Sequence, residues 1–227
     1  MKKIFFSILL SASCYTFAQD AGLVLSRGDF ADGSTFSNRI RSKTGKDLTY
    51  EDVTGSPYSN VNFLSAKIAD NYEKTPVRYN SYTDQIEFQR DNKVMILPEE
   101  TQFSRIEIIS PKQTLVLLDT KDDLSGYFFE IVKGKYSLYK KQETKFIDAE
   151  PASNSYTSEK PAYFKQSDPV YYISINDSYI KNPKNQKEIL AQFSDKKDAL
   201  GSFFKENKIK FNKEEDLKKL VTFLNQN

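Results

Sequence analysis

Gln85-Ile86-Glu87-Phe88-Gln89-Arg90-Asp91-Asn92-Lys93-Val94-Met95-Ile96-Leu97 consists of two short runs joined by a polar tetrapeptide. Ile86 and Phe88 alternate with Gln85, Glu87 and Gln89, which is the two-residue period of a strand with one buried face. Arg90-Asp91-Asn92-Lys93 then turns the chain into a second apolar run over 94–97. Aspartate and asparagine accept the left-handed backbone of tight hairpin turns, so the stretch predicts a β-hairpin.

The same pattern repeats on both sides. Upstream, a strand is expected over 63–69, a turn at Asp70-Asn71 and a strand over 77–80 behind Pro76. Downstream, runs over 103–109 and 114–118 flank Ser110-Pro111-Lys112-Gln113, and runs over 126–132 and 135–141 flank Lys133-Gly134. A late strand is expected over 169–176 and a weaker one over 162–165. Short strands linked by turns, without intervening helices, predict an antiparallel meander closing into a sandwich, roll or small barrel. These strands are too short for a membrane barrel, which needs about nine to eleven residues per strand.

The period changes in the tail. Phe193, Ala199, Leu200, Phe203 and Phe204 fall at helical spacing, with Ser194 read as a helix cap. Asn212 with Glu215 three residues later reads as a capping box before the stripe Leu217, Leu220, Val221 and Leu224. The fold class is therefore α+β, mainly β, with a C-terminal helical pair. Four segments result: a leader over 1–18, a weakly ordered glycine-containing stretch over 19–57, an antiparallel β domain over 58–180 and a helical segment over 181–227.

The leader has three parts. Met1-Lys2-Lys3 is a positive head, residues 4–12 are apolar, and Thr16-Phe17-Ala18 offers a peptidase site before Gln19, which predicts an exported, periplasmic or secreted protein. Leu10-Ser11-Ala12-Ser13 before Cys14 supports a competing reading, lipidation at Cys14. Phe223-Leu224-Asn225-Gln226-Asn227 lacks the terminal aromatic of an outer-membrane barrel, which favours the periplasm.

Composition narrows the chemistry. Cys14 is the one cysteine, so removal of the leader leaves neither thiol nor disulfide. With 0 histidines, Ser-His-Asp and Cys-His catalysis and the usual zinc, copper and non-haem iron sites are excluded. Removing Lys2 and Lys3 from 33 basic residues leaves the chain formally neutral against 31 acidic ones, which argues against nucleic acid as a partner. Lys133, Lys135, Lys140, Lys141 and Lys145 form the densest basic patch and read as a strand edge defended by lysines.

Three local motifs resolve into ordinary structure. Lys43-Thr44-Gly45, and Ser194 with Lys197, are fragments of the serine penicilloyl-enzyme signature in reversed order, and the signature is rejected. Asp119, Asp122, Asp123 and Glu130 lack the spacing of a calcium loop, with Lys121 in a ligand position, and read as a solvated hairpin loop. Asn176-Asp177-Ser178 matches a glycosylation triplet and reads as a turn.

Arg78, Tyr79, Asn80, Tyr82 and Asp84 stand out, since two tyrosines, a guanidinium, an amide and a carboxylate at a strand end have the makeup of a small polar-ligand site. The competing reading is a β corner in which the tyrosines pack and Asn80 and Asp84 shape the turn. Asp84 and Glu87 are the acids to test for glycoside cleavage, which depends on their separation in space.

Ser56-Pro57-Tyr58 followed by Phe63-Leu64, the run from Val77 through Glu87, and Lys213-Glu214-Glu215-Asp216-Leu217 resemble a family of exported proteins of Bacteroidota-type bacteria. The resemblance spans most of the chain beyond the leader. It implies export, brings no activity and carries over no catalytic residue. The expectation is a non-enzymatic periplasmic protein, without metal or cofactor, that binds an envelope protein or another envelope component. The alternatives are a histidine-free carboxylate hydrolase or glycan-binding module, and a structural accessory subunit.

Overall fold

The computed structural model describes residues 36–227 apart from 71, 153, 155–157 and 177. The leader over 1–18, Cys14, the cleavage site before Gln19, and Asn71 and Asp177 of two expected turns lie outside the described residues.

Two short strands come first, β1 (Arg39–Arg41) and β2 (Asp47–Thr49), paired as a ribbon with Ile40 opposite Leu48. Four strands follow: β3 (Leu64–Lys67), β4 (Thr75–Asn80), β5 (Gln85–Arg90) and β6 (Lys93–Ile96). Asp91 and Asn92 join β5 to β6 at φ of 48° and 59°, the paired left-handed conformation a two-residue hairpin turn requires. The chain then returns to lay β7 (Arg105–Ile108) beside β3, followed by β8 (Gln113–Leu118), β9 (Gly126–Val132) and β10 (Leu138–Lys141). A separate ribbon forms from β11 (Thr144–Ile147) and β12 (Tyr163–Gln166), after which β13 (Val170–Ile175) pairs with β10 and β14 (Ser178–Lys181) with β13. Three helices end the chain, α1 (Gln186–Gln192), α2 (Lys197–Glu206) and α3 (Glu214–Gln226). The expected helical pair is α2 with α3, and the shorter α1 precedes it.

The ten-stranded sheet runs β14-β13-β10-β9-β8-β7-β3-β4-β5-β6 and is antiparallel throughout. Because β7 returns to β3 rather than continuing from β6, the expected single meander becomes two. The terminal strands β14 and β6 do not pair with each other, so the sheet is open and fits a sandwich or roll, not a closed barrel. It curls strongly: the rings of Tyr79 on β4 and Phe129 on β9 lie 5.7 Å apart although three strands separate them in the sheet.

Curling encloses the first core. Val77, Tyr79, Ile86, Phe88, Ile106, Leu115 and Tyr127 are all buried inside the roll, and each such aliphatic or aromatic side chain contributes about 1.5–3 kcal/mol by leaving water. Tyr127 and Phe129 face this core and Ile131, next on the same face of β9, faces the second. That second core joins Leu138, Tyr171 and Ile173 of the sheet to Leu200, Leu217, Leu220, Val221 and Leu224 of the helices. Phe129 and its cross-strand partner Lys140 thus stand at the seam between two cores on one sheet face.

The opposite face carries a third, smaller core in which Ile40, Tyr50 and Val53 meet Ala162 and Phe164. Residues 36–57 are therefore better ordered than their composition suggests, with β1, β2 and a 3-10 turn at Tyr50–Asp52. Strands this short carry too few apolar residues for a periodic signal and are held by contact with β12.

Two helix starts differ from expectation. Ser194 opens a 3-10 turn that leads into α2 and caps nothing with its side chain. Asn212 does not cap α3, whose first residue is Glu214; the Asp216 carboxylate instead accepts the Lys210 amide at 3.0 Å. Only α1 has the side-chain cap, with Asn185 accepting the Glu188 amide at 3.1 Å.

Asn225 ties α3 to the sheet. Its amide accepts from the Tyr136 N–H at 2.9 Å and donates to the Tyr136 carbonyl at 2.8 Å, bridging helix and β9–β10 turn as a strand would. Asn225→Ala strands both backbone groups and is expected to cost about 1–3 kcal/mol. Urea denaturation checks this, and faster amide exchange at Tyr136 should accompany the loss.

Candidate functional site

Alternation along β4 divides the five residues singled out in the sequence. Arg78 and Asn80 point to the small ribbon core, whereas Tyr79 points into the roll. Arg78 lies opposite Glu87 in register and donates to its carboxylate through Nε at 3.2 Å and Nη2 at 2.6 Å. The same guanidinium lies 3.6 Å from the centroid of the Tyr58 ring and 4.3 Å from that of Phe63, and donates to the Val61 carbonyl at 3.1 Å. Burial, with the Glu87 charge adding to it, pushes the Tyr58 hydroxyl above its usual range and keeps it neutral beside Arg78.

Asn80 is fully committed. Its amide nitrogen donates to Glu87 at 2.8 Å and Tyr50 at 3.3 Å, while its oxygen accepts the backbone amides of Tyr82 and Thr83. Tyr82 packs edge-on against Phe164 at 5.4 Å. These two residues build the corner and hold the ribbon.

Asp84 sits in the β4–β5 turn at φ 57° and aims its carboxylate to the roll side. It accepts from the Tyr79 hydroxyl and the Lys141 ammonium, both at 2.6 Å. Burial first, and the Asp84 charge second, push the Tyr79 hydroxyl well above its normal range. Lys141 is 4% exposed as a side chain, also donates to the Tyr127 carbonyl at 3.1 Å and rests against the Phe128 ring. Glu87 and Asp84 therefore belong to opposite faces of one hairpin, each bound to its own cation, and do not face a common cleft.

Two of the five residues, Arg78 and Tyr79, line a half-open cavity of about 220 Å³ over the seam between the two cores. The loop after Tyr58 supplies Asn60 and Asn62; the β7–β8 hairpin supplies Gln113; Gln142 follows β10; Gln166 ends β12. Leu64, Val77, Ile108 and the half-buried Phe129 ring provide the apolar part of the lining. Both lining cations are neutralised nearby, Arg78 by Glu87 at 2.6 Å and Lys140 by Glu214 of α3 at 2.7 Å. Asn80, Tyr82 and Asp84 do not line this cavity. The five amides escaped sequence reasoning because they are spread over more than a hundred positions and sit where turns and strand ends take such residues anyway.

The other polar clusters are structural. Lys140 and Lys141 of the basic patch turn inward to Glu214 and Asp84, while Lys133, Lys135 and Lys145 remain exposed. In the acidic loop, burial opposes the charge on Asp122, but donors from Thr120, the Leu124 amide, Tyr172 and Lys181 outweigh it and hold the carboxyl well below its usual range. Asp122 thus buttresses β13 and β14. Among the described residues no acidic cluster has the arrangement of a metal site, and no helix is long and apolar enough to cross a membrane.

No protein-family model, characterised protein or solved structure matches the chain.

Proposed function

We propose that the protein is exported and acts in the cell envelope as a non-enzymatic binding module, holding an envelope component in the groove above Phe129. The observation that carries this reading is the lining itself. Five amides from four separate segments converge on an apolar floor, and the two acids best suited to catalysis are engaged elsewhere by Arg78 and Lys141. Convergent polar groups around apolar surface are the makeup of recognition sites. At about 220 Å³ the groove is smaller than a whole-ligand pocket of about 300–1,000 Å³ and suits one unit of a longer molecule that extends beyond it. Export is supported by the charged, apolar and small-residue order of residues 1–18.

The test is site-specific photo-crosslinking in intact cells, with the probe at Gln166 in the groove or at Lys93 on the far sheet edge. A discrete envelope species captured from Gln166 and not from Lys93 is the expected result. Equal capture from both positions removes the groove from the reading. Turnover of an envelope polymer by purified protein, abolished by Asp84→Asn or Glu87→Gln without loss of folding, favours the hydrolase instead.

A further inference from the structure

Resting on the groove reading, we infer that the ligand is a neutral, polyhydroxylated chain, an uncharged glycan, bound one sugar unit deep in the groove. Hydrogen-bonding capacity and charge both lead there.

Each primary amide offers two donors and two acceptor lone pairs. Gln113 and Gln166 make no side-chain hydrogen bond to another described residue, and both are exposed at the groove. The Asn62 side chain is equally uncommitted, its backbone amide being what binds Asn60. The Asn60 oxygen accepts that amide at 2.9 Å, which leaves its NH₂ group available. Gln142 is the reverse: its NH₂ donates to the Ser167 carbonyl at 2.8 Å, so its oxygen remains as acceptor. The rim therefore presents donors and acceptors in mixture, which matches hydroxyl groups that each donate and accept.

Charge decides between neutral and acidic chains. A groove for uronic or phosphorylated polymers needs a cation left unpaired for the ligand. Here the Arg78 guanidinium is held by a carboxylate 1% exposed, and Lys140 is bound to Glu214. Among the described residues no acid lines the groove, so a cationic ligand gains nothing either. The apolar floor suits the C–H face of a sugar ring, with the Phe129 ring buttressed edge-on by Tyr79.

The experiment is isothermal titration of the mature chain with maltohexaose, cellohexaose, laminarihexaose and, as the acidic counterpart, hexagalacturonate, each at low and high salt. A neutral hexasaccharide is expected to bind with little salt dependence. Gln113→Ala/Gln166→Ala, two exposed positions whose removal leaves the circular dichroism and melting curve unchanged, should weaken it about tenfold or more. Preference for hexagalacturonate, lost at high salt and in the same double variant, overturns the neutral class and leaves the groove in place. Binding of a neutral chain that the double variant does not alter puts the glycan elsewhere and overturns the inference. Absence of binding to all four probes overturns it as well, while crosslinking from Gln166 still decides the groove separately.

Discussion

Replacing Arg78 with methionine is expected to lower the folding free energy by about 3–5 kcal/mol, the cost of leaving a buried carboxylate without its counter-charge. Glu87 is 1% exposed, and besides the Arg78 guanidinium it accepts from the Asn80 amide at 2.8 Å. Methionine restores much of the volume between Tyr58 and Phe63 but none of the charge, so the loss reports electrostatics more than packing. Arg78→Lys should fall between: an ammonium keeps the charge but cannot span Glu87, the Val61 carbonyl and the Tyr58 hydroxyl together. Glu87→Gln should cost less than Arg78→Met, because a neutral amide can be buried without a counter-charge and its oxygen still accepts. Urea titration of the three variants and the Arg78→Met/Glu87→Gln double variant gives the coupling energy. If Arg78→Met moves stability by less than about 1 kcal/mol, the pair is not what fixes this corner.

The ordering of these variants bears on how sequence encodes the corner. The β5–β6 hairpin was legible because its period and its Asp91-Asn92 turn are local, and the structure places the turn at those residues. β9, over Gly126–Val132, is legible for the same reason. The return of β7 to β3 was not, since strand partners across a sheet leave no mark at fixed spacing. β11 and β14 are four-residue strands whose burial comes from neighbours distant in sequence, and they carry no alternation strong enough to separate them from loop. The helical stripe 217–224 was visible, but its start was not: Asn212 and Glu215 have the spacing of a capping box, while the chain uses Asp216 back to the Lys210 amide.

The site was partly legible in the same sense. The clustering of Arg78, Tyr79, Asn80, Tyr82 and Asp84 falls at one corner of the sheet, yet strand alternation sends Arg78 and Tyr79 to opposite faces, and three of the five build the corner rather than line the groove. The amides that do line it come from Asn60 to Gln166 and are adjacent only once the sheet has curled. No window along the chain contains that juxtaposition.

Gly126→Ala should be more damaging than alanine at any other described glycine. Gly126 opens β9 at φ 139°, a conformation that side chains with a Cβ rarely adopt and that costs such a residue about 1–3 kcal/mol. A Cβ built at this position also overlaps Asp84 Oδ2 and comes within 3.0 Å of Lys141 Nζ, so it enters the ion pair itself. Displacing Asp84 leaves Lys141, 4% exposed, with the Tyr127 carbonyl and the Phe128 ring as neutral company and leaves the Tyr79 hydroxyl with the Gln142 carbonyl at 3.4 Å in place of a charged acceptor at 2.6 Å. The combined expectation is a loss of about 4 kcal/mol or more, read as a large drop in denaturation midpoint. The two contributions separate in an Asp84→Ala background, where the overlapping atom is gone. There Gly126→Ala should retain only the backbone cost of about 1–3 kcal/mol, so the double variant is more stable than the sum of its parts requires. Strict additivity would mean that backbone conformation alone demands glycine at 126 and that the Asp84–Lys141 pair adjusts freely, in which case the buried pair does not clamp β9 and β10 to the β4–β5 turn.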